Sequence, residues 1–249
     1  LSTNPKPTKQ RLDCLLVARG LFESREKAQR AIMAGEVLVG DRPMDKPGTK
    51  VAEDVALTVK AAMRYVSRGG FKLEGALQAF GIDPTGKTCL DIGASTGGFT
   101  DCLLQHGAVK VHAIDVGHSQ LDWKIRSDAR VVVREKCNAR FLSREEVPDP
   151  IELCVIDVSF ISLTLILPAA FDLLTPEGVI LPLIKPQFEL SRQEIGKGGI
   201  VREGHLHEKA VEKIRRFTTE TLGKTWAGVT DSPILGTEGN KEFLACLRN

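Results

Sequence analysis

Residues Asp91-Ile-Gly93-Ala94-Ser95-Thr96-Gly97-Gly98-Phe99 constrain the fold of this chain more than any other stretch. They follow Lys87-Thr-Cys89-Leu90, which reads as a buried strand, and lead into an apolar-periodic segment ending near His106. A strand, a glycine-rich turn and a helix start make a ligand cradle. Glycines admit a close backbone approach, and a helix N-terminus offers unpaired N–H groups. Such a unit belongs to open α/β sheets of the Rossmann-like kind, whose dinucleotide-binding form reads Gly-x-Gly-x-x-Gly. The spacing here is Gly-x-x-x-Gly-Gly behind an acidic residue, which suits S-adenosyl-L-methionine better than NAD and argues against a nicotinamide dehydrogenase. The next apolar run ends on Asp115, about 20 residues past the turn, where such folds grip ribose hydroxyls. A third run, Arg130-Val-Val-Val-Arg134, is followed by Asn138 at the place where adenine is usually contacted. The cofactor candidates are therefore Asp91, the turn from Gly93 to Phe99, Asp115 and Asn138.

At 249 residues the chain has room for one large domain, or a medium domain and a small one. Its 42% hydrophobic and 27% charged content is that of an ordinary globular protein. A net charge of +2 sets up no overall field for nucleic acid, so any basic binding surface must be local. The cysteines at 14, 89, 102, 137, 154 and 246 form no Cys-x-x-Cys pair and read as free thiols in a reducing compartment. No N-terminal stretch joins a basic start to an apolar core, and the apolar run Ile161 to Leu174 is short and contains Asp172. The expectation is a cytoplasmic protein with no membrane partner. His205-x-His207 is too isolated to hold a metal, because zinc needs more ligands than one such pair supplies.

The N-terminal part follows a different pattern. Residues 1–10 read as a frayed tail. Arg11 to Ala18 reads as a short helix stopped by Gly20, and Ser24 caps a second helix from Arg25 to Ala34. Glu36 to Val39 and Val55 to Lys60 read as strands, with a turn at Gly40-Asp41-Arg42-Pro43. The order Arg11-Leu-Asp, Ser24-Arg25-x-x-Ala28, Ile32-x-x-Gly35-x-Val37-x-Val39-Gly40 resembles the small α+β RNA-binding module named after the fourth small-subunit ribosomal protein. The resemblance places RNA contacts at Arg11, Arg19, Arg25, Lys27 and Arg30 of a module spanning 11–60. Residues 61–70 read as a linker in which Arg64 and Arg68 flank Tyr65, the only tyrosine. Such an arginine–aromatic–arginine linker reads either as inert or as a segment that stacks on a base and holds a phosphate, and its glycines would permit a hinge.

From residue 71 to 249 the charged residues gather at strand ends. Ile151 to Asp157 and Gly178 to Lys185 read as buried strands ending on a carboxylate and on a lysine, and Asn240 to Leu247 as a last strand with Glu242 at its start. In open α/β sheets the carboxyl ends of the strands line the ligand crevice, which brings Asp91, Asp115, Asp157 and Lys185 together. Lys72 lies near the start of a helical stretch. Lysine, aspartate, lysine and glutamate in this order resemble the ribose 2′-O-methyltransferases of the FtsJ class. With the N-terminal module, the chain from about Arg11 onward resembles the hemolysin A/TlyA family. The motifs that carry the resemblance are Ser67-Arg68-Gly69-Gly70-x-Lys72, Asp91 to Phe99, Asp157-Val-Ser-Phe160, Lys185-Pro-Gln-Phe-Glu189 and Asn240-Lys-Glu242.

The resemblance implies an α/β fold with a mostly parallel sheet of seven strands. It also implies S-adenosyl-L-methionine as cofactor, ribosomal RNA or ribosomal subunits as partner, and a catalytic tetrad of Lys72, Asp157, Lys185 and Glu242, with Asp157 also facing the cofactor. A ribose hydroxyl needs a base within hydrogen-bond reach to become a nucleophile. Lys185 is the expected base. Lys72 would favour loss of its proton and orient the hydroxyl, Asp157 would position Lys185, and Glu242 would hold the lysines in place. The strand-end turn that carries an Asn/Asp-Pro-Pro-aromatic motif in many amine methyltransferases holds Asp157-Val-Ser159-Phe160 here. No cysteine occupies a strand end, as a cytosine-carbon methyltransferase would need. The rivals are an RNA-binding or assembly factor without catalysis and a membrane-lytic protein. Lysis lacks support because no span, barrel pattern or strongly amphipathic basic helix stands out. Pro186 to Gly199 reads either as a lid over the crevice or as an insert.

Overall fold

The computed structural model describes residues 8–59, 63–236 and 238–249, and the chain divides into two units, Leu1–Arg64 and Tyr65–Asn249. Residues 1–7 of the expected tail, Lys60 of the expected strand and 61–62 of the expected linker lie outside the described residues.

The N-terminal unit runs β1 (Lys9–Arg11), α1 (Leu12–Ala18), α2 (Arg25–Met33), β2 (Val37–Val39), β3 (Arg42–Met44), β4 (Lys50–Ala52) and β5 (Leu57–Val59). Ser24 caps α2 as expected, its hydroxyl accepting the Lys27 N–H at 3.3 Å. The apolar faces of both helices, Leu12, Leu15, Leu16, Ala28 and Ile32, close over Val37 of the central strand. β2 lies between β3 and β5 in an antiparallel sheet, and β1 pairs with β4 in a second, two-stranded sheet. Strands β1, β3 and β4 went unread in the sequence because three residues are too few to show a period. Lys9 and Gln10 thus belong to a strand and not to a tail. Pro43 is tolerated because β3 is an edge strand.

The C-terminal unit runs α3 (Gly69–Phe80), β6 (Thr88–Ile92), α4 (Gly98–Gln105), β7 (Lys110–Ile114), α5 (Trp123–Arg126), β8 (Val131–Arg134), β9 (Ile151–Ile156), α6 (Leu167–Leu173), β10 (Leu174–Ile184), α7 (Pro186–Glu189), α8 (Gly204–Arg216), β11 (Thr225–Asp231) and β12 (Phe243–Arg248). Its seven strands lie in the order β11-β12-β10-β9-β6-β7-β8. The five from β10 to β8 are parallel, and β12 runs antiparallel to both β10 and β11. The strands read as unbroken apolar runs because both faces are covered. In β9, Leu153 and Val155 pack with Leu73, Leu77 and Leu103 on one face. Cys154 and Ile156 pack with Leu167, Ala170 and Ile214 on the other. The strand order reverses between β6 and β9, and crevices in such sheets open at that switch point. β11 escaped the sequence reading because it is an edge strand of alternating half-buried and exposed residues with a glycine inside.

The expected linker is part of this unit from Tyr65 onward. Tyr65 is 1% exposed and meets Phe71 edge-on at 5.2 Å between centroids. Its neighbour Val66 donates its N–H to Asp101 at 2.8 Å. Tyr65 is a packing residue with no ring face left for a base, and Gly69 and Gly70 open helix α3 where a hinge was expected. A Cβ at Gly70 would stand 2.2 Å from the Tyr65 ring, whereas one at Gly204, at the start of α8, would meet nothing. Gly70→Ala is therefore expected to lower stability by about 1–3 kcal/mol or more. Gly204→Ala should leave it unchanged or raise it by up to about 1 kcal/mol. Thermal unfolding of the two variants beside the wild type checks both, and equal midpoints would contradict the packing assigned to Tyr65.

Candidate active site

The glycine turn sits between β6 and α4 as the spacing requires. Gly93 and Gly97 have φ of +87° and +95°, and a Cβ at Gly93 would come within 2.4 Å of the Asp157 carbonyl oxygen. Only glycine lets these two strand ends approach so closely. A Cβ at Gly98 would strike the Ser67 hydroxyl at 2.2 Å, so the segment leading into α3 packs directly on the turn. Ala94 and Phe99 are buried and Ser95 and Thr96 exposed. Asp115 closes the turn from the next strand, accepting the Ser95 N–H at 2.8 Å and the Gly117 N–H at 2.6 Å. Asn138 is exposed beyond β8, and its side chain accepts the Arg140 N–H at 3.1 Å.

Asp91 is wholly buried in β6. One carboxylate oxygen accepts the Thr100 hydroxyl at 2.6 Å, and the other has no partner. Burial, helped by the charges of Asp157 and Asp115 and opposed by the Thr100 hydrogen bond, pushes its carboxyl up to about 7. A buried oxygen without a partner, beside a turn with no room for a Cβ, suits a ligand that brings its own cationic donor.

The four tetrad candidates converge by register. Ile184 and Phe243 are directly opposed in the β10–β12 pair, so Lys185, just past one, and Glu242, just before the other, share one edge of the sheet. Asp157 ends β9, the neighbour of β10 on its other side, and donates its N–H to Ile92 in β6. Lys72 reaches the same edge from α3, which packs on β11 and β12. The side chains form two pairs. Lys72 Nζ lies 2.6 Å from Glu242, with side-chain exposures of 10% and 3%. Lys185 Nζ lies 2.5 Å from Asp157 Oδ1 and donates to the Ser159 hydroxyl at 2.9 Å. The Asp157 contact is a close charge pair and not a well-aligned hydrogen bond. Glu242 has space because position 236 is glycine: a Cβ there would lie 2.4 Å from Glu242 Oε1.

Ser159 lies within the Asp157-Val-Ser-Phe160 motif, and its contact with Lys185 follows from the fold and from no local sequence signal. Phe160 beside it is 91% exposed with φ of +64°, a left-handed conformation uncommon for a bulky residue. Its ring lies 5.0 Å from that of Phe188. The segment 186–199 is held at several points. Glu194 accepts from Ser191 and from Lys209, and Asn240 bonds both the Gly199 carbonyl and the Val201 N–H, at 3.0 and 2.9 Å. His207 bonds the Val201 carbonyl at 2.9 Å, and no group able to hold a metal occurs among the described residues.

In the N-terminal unit the basic candidates are organised by Asp13, which is 0% exposed. It accepts from Arg11 at 3.0 and 2.9 Å, from Arg25 at 2.8 Å and from Gln29 at 2.8 Å. The Arg11 hydrogen bonds hold its carboxyl well below the usual carboxylate range. Arg11 and Arg25 remain about half exposed beyond this anchor. Arg19 is tied to the carbonyls of Glu53 and Val55, Lys27 pairs with Glu23, and Arg30 is exposed. In the C-terminal unit Arg68 donates to the Leu235 carbonyl at 2.6 Å. Arg64 is exposed at the boundary.

Comparison with known proteins matches both units. The pattern of the FtsJ-like methyltransferases matches residues 65–249, and that of the S4 domain matches residues 10–57. TlyA of Mycobacterium tuberculosis, named a 16S/23S rRNA (cytidine-2′-O)-methyltransferase, is 46% identical over 240 residues, spanning 96% of this chain and 89% of the relative. Hemolysin A of Brachyspira hyodysenteriae is 46% identical over 240 residues, spanning 94% and 98%. A solved structure described as "Putative hemolysin from Streptococcus thermophilus" shares 47% identity and superposes with a TM-score of 0.73 over 97% of this chain and 88% of that one. With both domains and nearly the whole length matched, the chain belongs to the TlyA and hemolysin A family, in which an S4 domain precedes an FtsJ-like methyltransferase fold.

Proposed function

We propose that this protein transfers a methyl group from S-adenosyl-L-methionine to a ribose 2′-hydroxyl of ribosomal RNA, at a cytidine. The observation that carries the reading is the Lys185 amine, held by Asp157 and Ser159 at the mouth of the switch point. Beside it a second buried lysine, Lys72, is held by Glu242.

Asp91 would receive the cofactor's ammonium on its unpartnered oxygen, the backbone from Gly93 to Phe99 would follow its methionine part, and Asp115 would take its ribose. Adenine would lie toward Asn138. When bound, the cofactor supplies an electrophilic methyl on a sulfonium. The rest of the work falls to side chains of this chain. Lys185 takes the proton of the hydroxyl, and Asp157 stabilises the charge that results. Ser159 fixes the direction of the amine. Lys72, anchored by Glu242, donates to the ribose oxygen and keeps it aligned. Phe160, nearly fully exposed beside this group, offers a ring face to a base lifted from its stack. Arg11 and Arg25, set side by side on Asp13, give the S4 domain a two-guanidinium grip for phosphate. A non-catalytic RNA-binding role would leave two buried lysine–carboxylate pairs at one sheet edge without a use.

Labelled methyl should pass from the cofactor to ribosomal RNA or a subunit and end at one alkali-resistant linkage. Lys185→Ala should lose about 10²- to 10⁴-fold of that rate, and a variant that keeps full turnover would remove Lys185 from the role of base. The Asp91 carboxyl, pushed up to about 7, gains a proton as pH falls through that value and, once neutral, no longer attracts a cation. Cofactor affinity should therefore level off above about pH 7 and weaken by up to about tenfold per pH unit below it. Asp91→Asn should bind more weakly with no such dependence. Calorimetric titration across pH 5.5–8.5 checks this, and a flat wild-type profile would count against Asp91 as the cation's partner.

A further inference from the structure

Glu189 closes the motif Lys185-Pro-Gln-Phe-Glu189, and the chemistry above makes no use of it. Its side chain is 1% exposed. One oxygen accepts the Leu163 N–H at 2.8 Å, and the other accepts the Ser162 hydroxyl at 2.5 Å and the Lys213 ammonium at 2.9 Å. Lys213 also reaches the Glu189 carbonyl at 2.7 Å and the Ser162 hydroxyl at 3.3 Å. Burying a carboxylate is costly even when it is paired, and an apolar residue of similar size often serves stability better. The contacts therefore call for an explanation beyond holding α7 in place.

The position of these contacts supplies one. Ser162 and Leu163 lie just after the turn Asp157-Val-Ser159-Phe160, and Glu189 lies one helical turn after Lys185. The carboxylate ties together the two loops whose side chains meet in the Lys185–Asp157–Ser159 group. Phe160, left-handed within the first loop, occupies a strained conformation that persists only where neighbours over-determine it. The nearest such restraint on its C-terminal side is the grip of Glu189 on Ser162 and Leu163.

We infer that Glu189 is a positioning residue for methyl transfer. Its pairing with Lys213 locks the Asp157–Phe160 turn against the Lys185–Phe188 turn and keeps Lys185, Asp157 and Ser159 in register. The inference rests on the reading of Lys185 as the base. It assigns Glu189 no contact with cofactor or RNA.

The test uses the full chain with Glu189→Gln, which keeps the shape and one acceptor for the Leu163 N–H but gives up the charge that Lys213 and Ser162 hold. Glu189→Ala is the harsher variant. The rate at saturating RNA and cofactor, counted per cofactor-binding molecule, should fall by about 10- to 100-fold in Glu189→Gln, as expected for a small misplacement of catalytic groups. Cofactor affinity should not change. Glu189→Asp, which restores the charge on a shorter arm, should recover part of the loss. A variant that unfolds earlier yet turns over normally per cofactor-binding molecule would show a merely structural role and overturn the inference. Amide exchange provides a readout independent of activity: protection should drop in residues 158–163 of Glu189→Gln and stay unchanged in β6. If the wild type transfers no methyl to any ribosomal RNA, the proposed function fails. Unchanged exchange at 158–163 would then sink the positioning role as well, whereas a local loss of protection would still support the lock.

Discussion

Lys72 and Lys185 each bury a side-chain nitrogen at the rim of an apolar sheet, and a buried lysine is sustained best beside a carboxylate. That requirement organises the C-terminal unit. Lys185 ends β10, so its partner must come from a strand beside β10, and Asp157 at the end of β9 provides it. Lys72 arrives from a helix, and its partner Glu242 stands just before β12, the antiparallel neighbour on the other flank of β10. The reversal of β12 brings the start of a strand, and not its end, to the same edge as the carboxyl ends of β9 and β10. A fully parallel sheet would have carried Glu242 to the opposite edge. Glycine at 236 then leaves the volume that the Glu242 carboxylate occupies.

The glycine turn obeys a second constraint, which is steric. Gly93 must clear the Asp157 carbonyl, and Gly98 must clear Ser67. The turn is therefore pressed between the strand that ends on Asp157 and the segment that leads into the helix carrying Lys72. Asp101, in the first turn of α4, adds a hydrogen bond to Val66 in that same segment. The glycine turn and the paired lysines and carboxylates share backbone walls. Displacing either by a few tenths of an ångström would be felt in the other, because such interiors are close-packed.

Much of this was legible in the residues. The strand–turn–helix from Thr88 to Gln105, the apolar runs of β7 to β10 and the cap at Ser24 all carry periods or signals longer than one turn. The S4 helices were legible for the same reason. The short strands β1, β3 and β4 were hidden because three residues show no alternation, and β11 because an edge strand needs few apolar side chains. Tyr65 misled because an aromatic between two arginines has the same composition whether it faces RNA or the core. Phe160, beside Lys185 and Ser159, is instead a ring left exposed, and no pattern announced that exposure.

By itself the sequence determined the kind of sheet, the place of the ligand turn and the identity of the charged residues at the strand ends. Local spacing specifies these, since a period of two, a glycine and a terminal carboxylate are read within a few residues. The tertiary structure alone decided which lysine meets which carboxylate. Lys72 and Glu242 stand 170 positions apart and meet only through the register of β10 against β12 and the packing of α3. It also decided that Ser159 touches Lys185 and that Glu189 gathers two loops around that contact. Pairings of this kind depend on the order of strands in a sheet, which is set by the packing of the whole chain and leaves no mark at any single position.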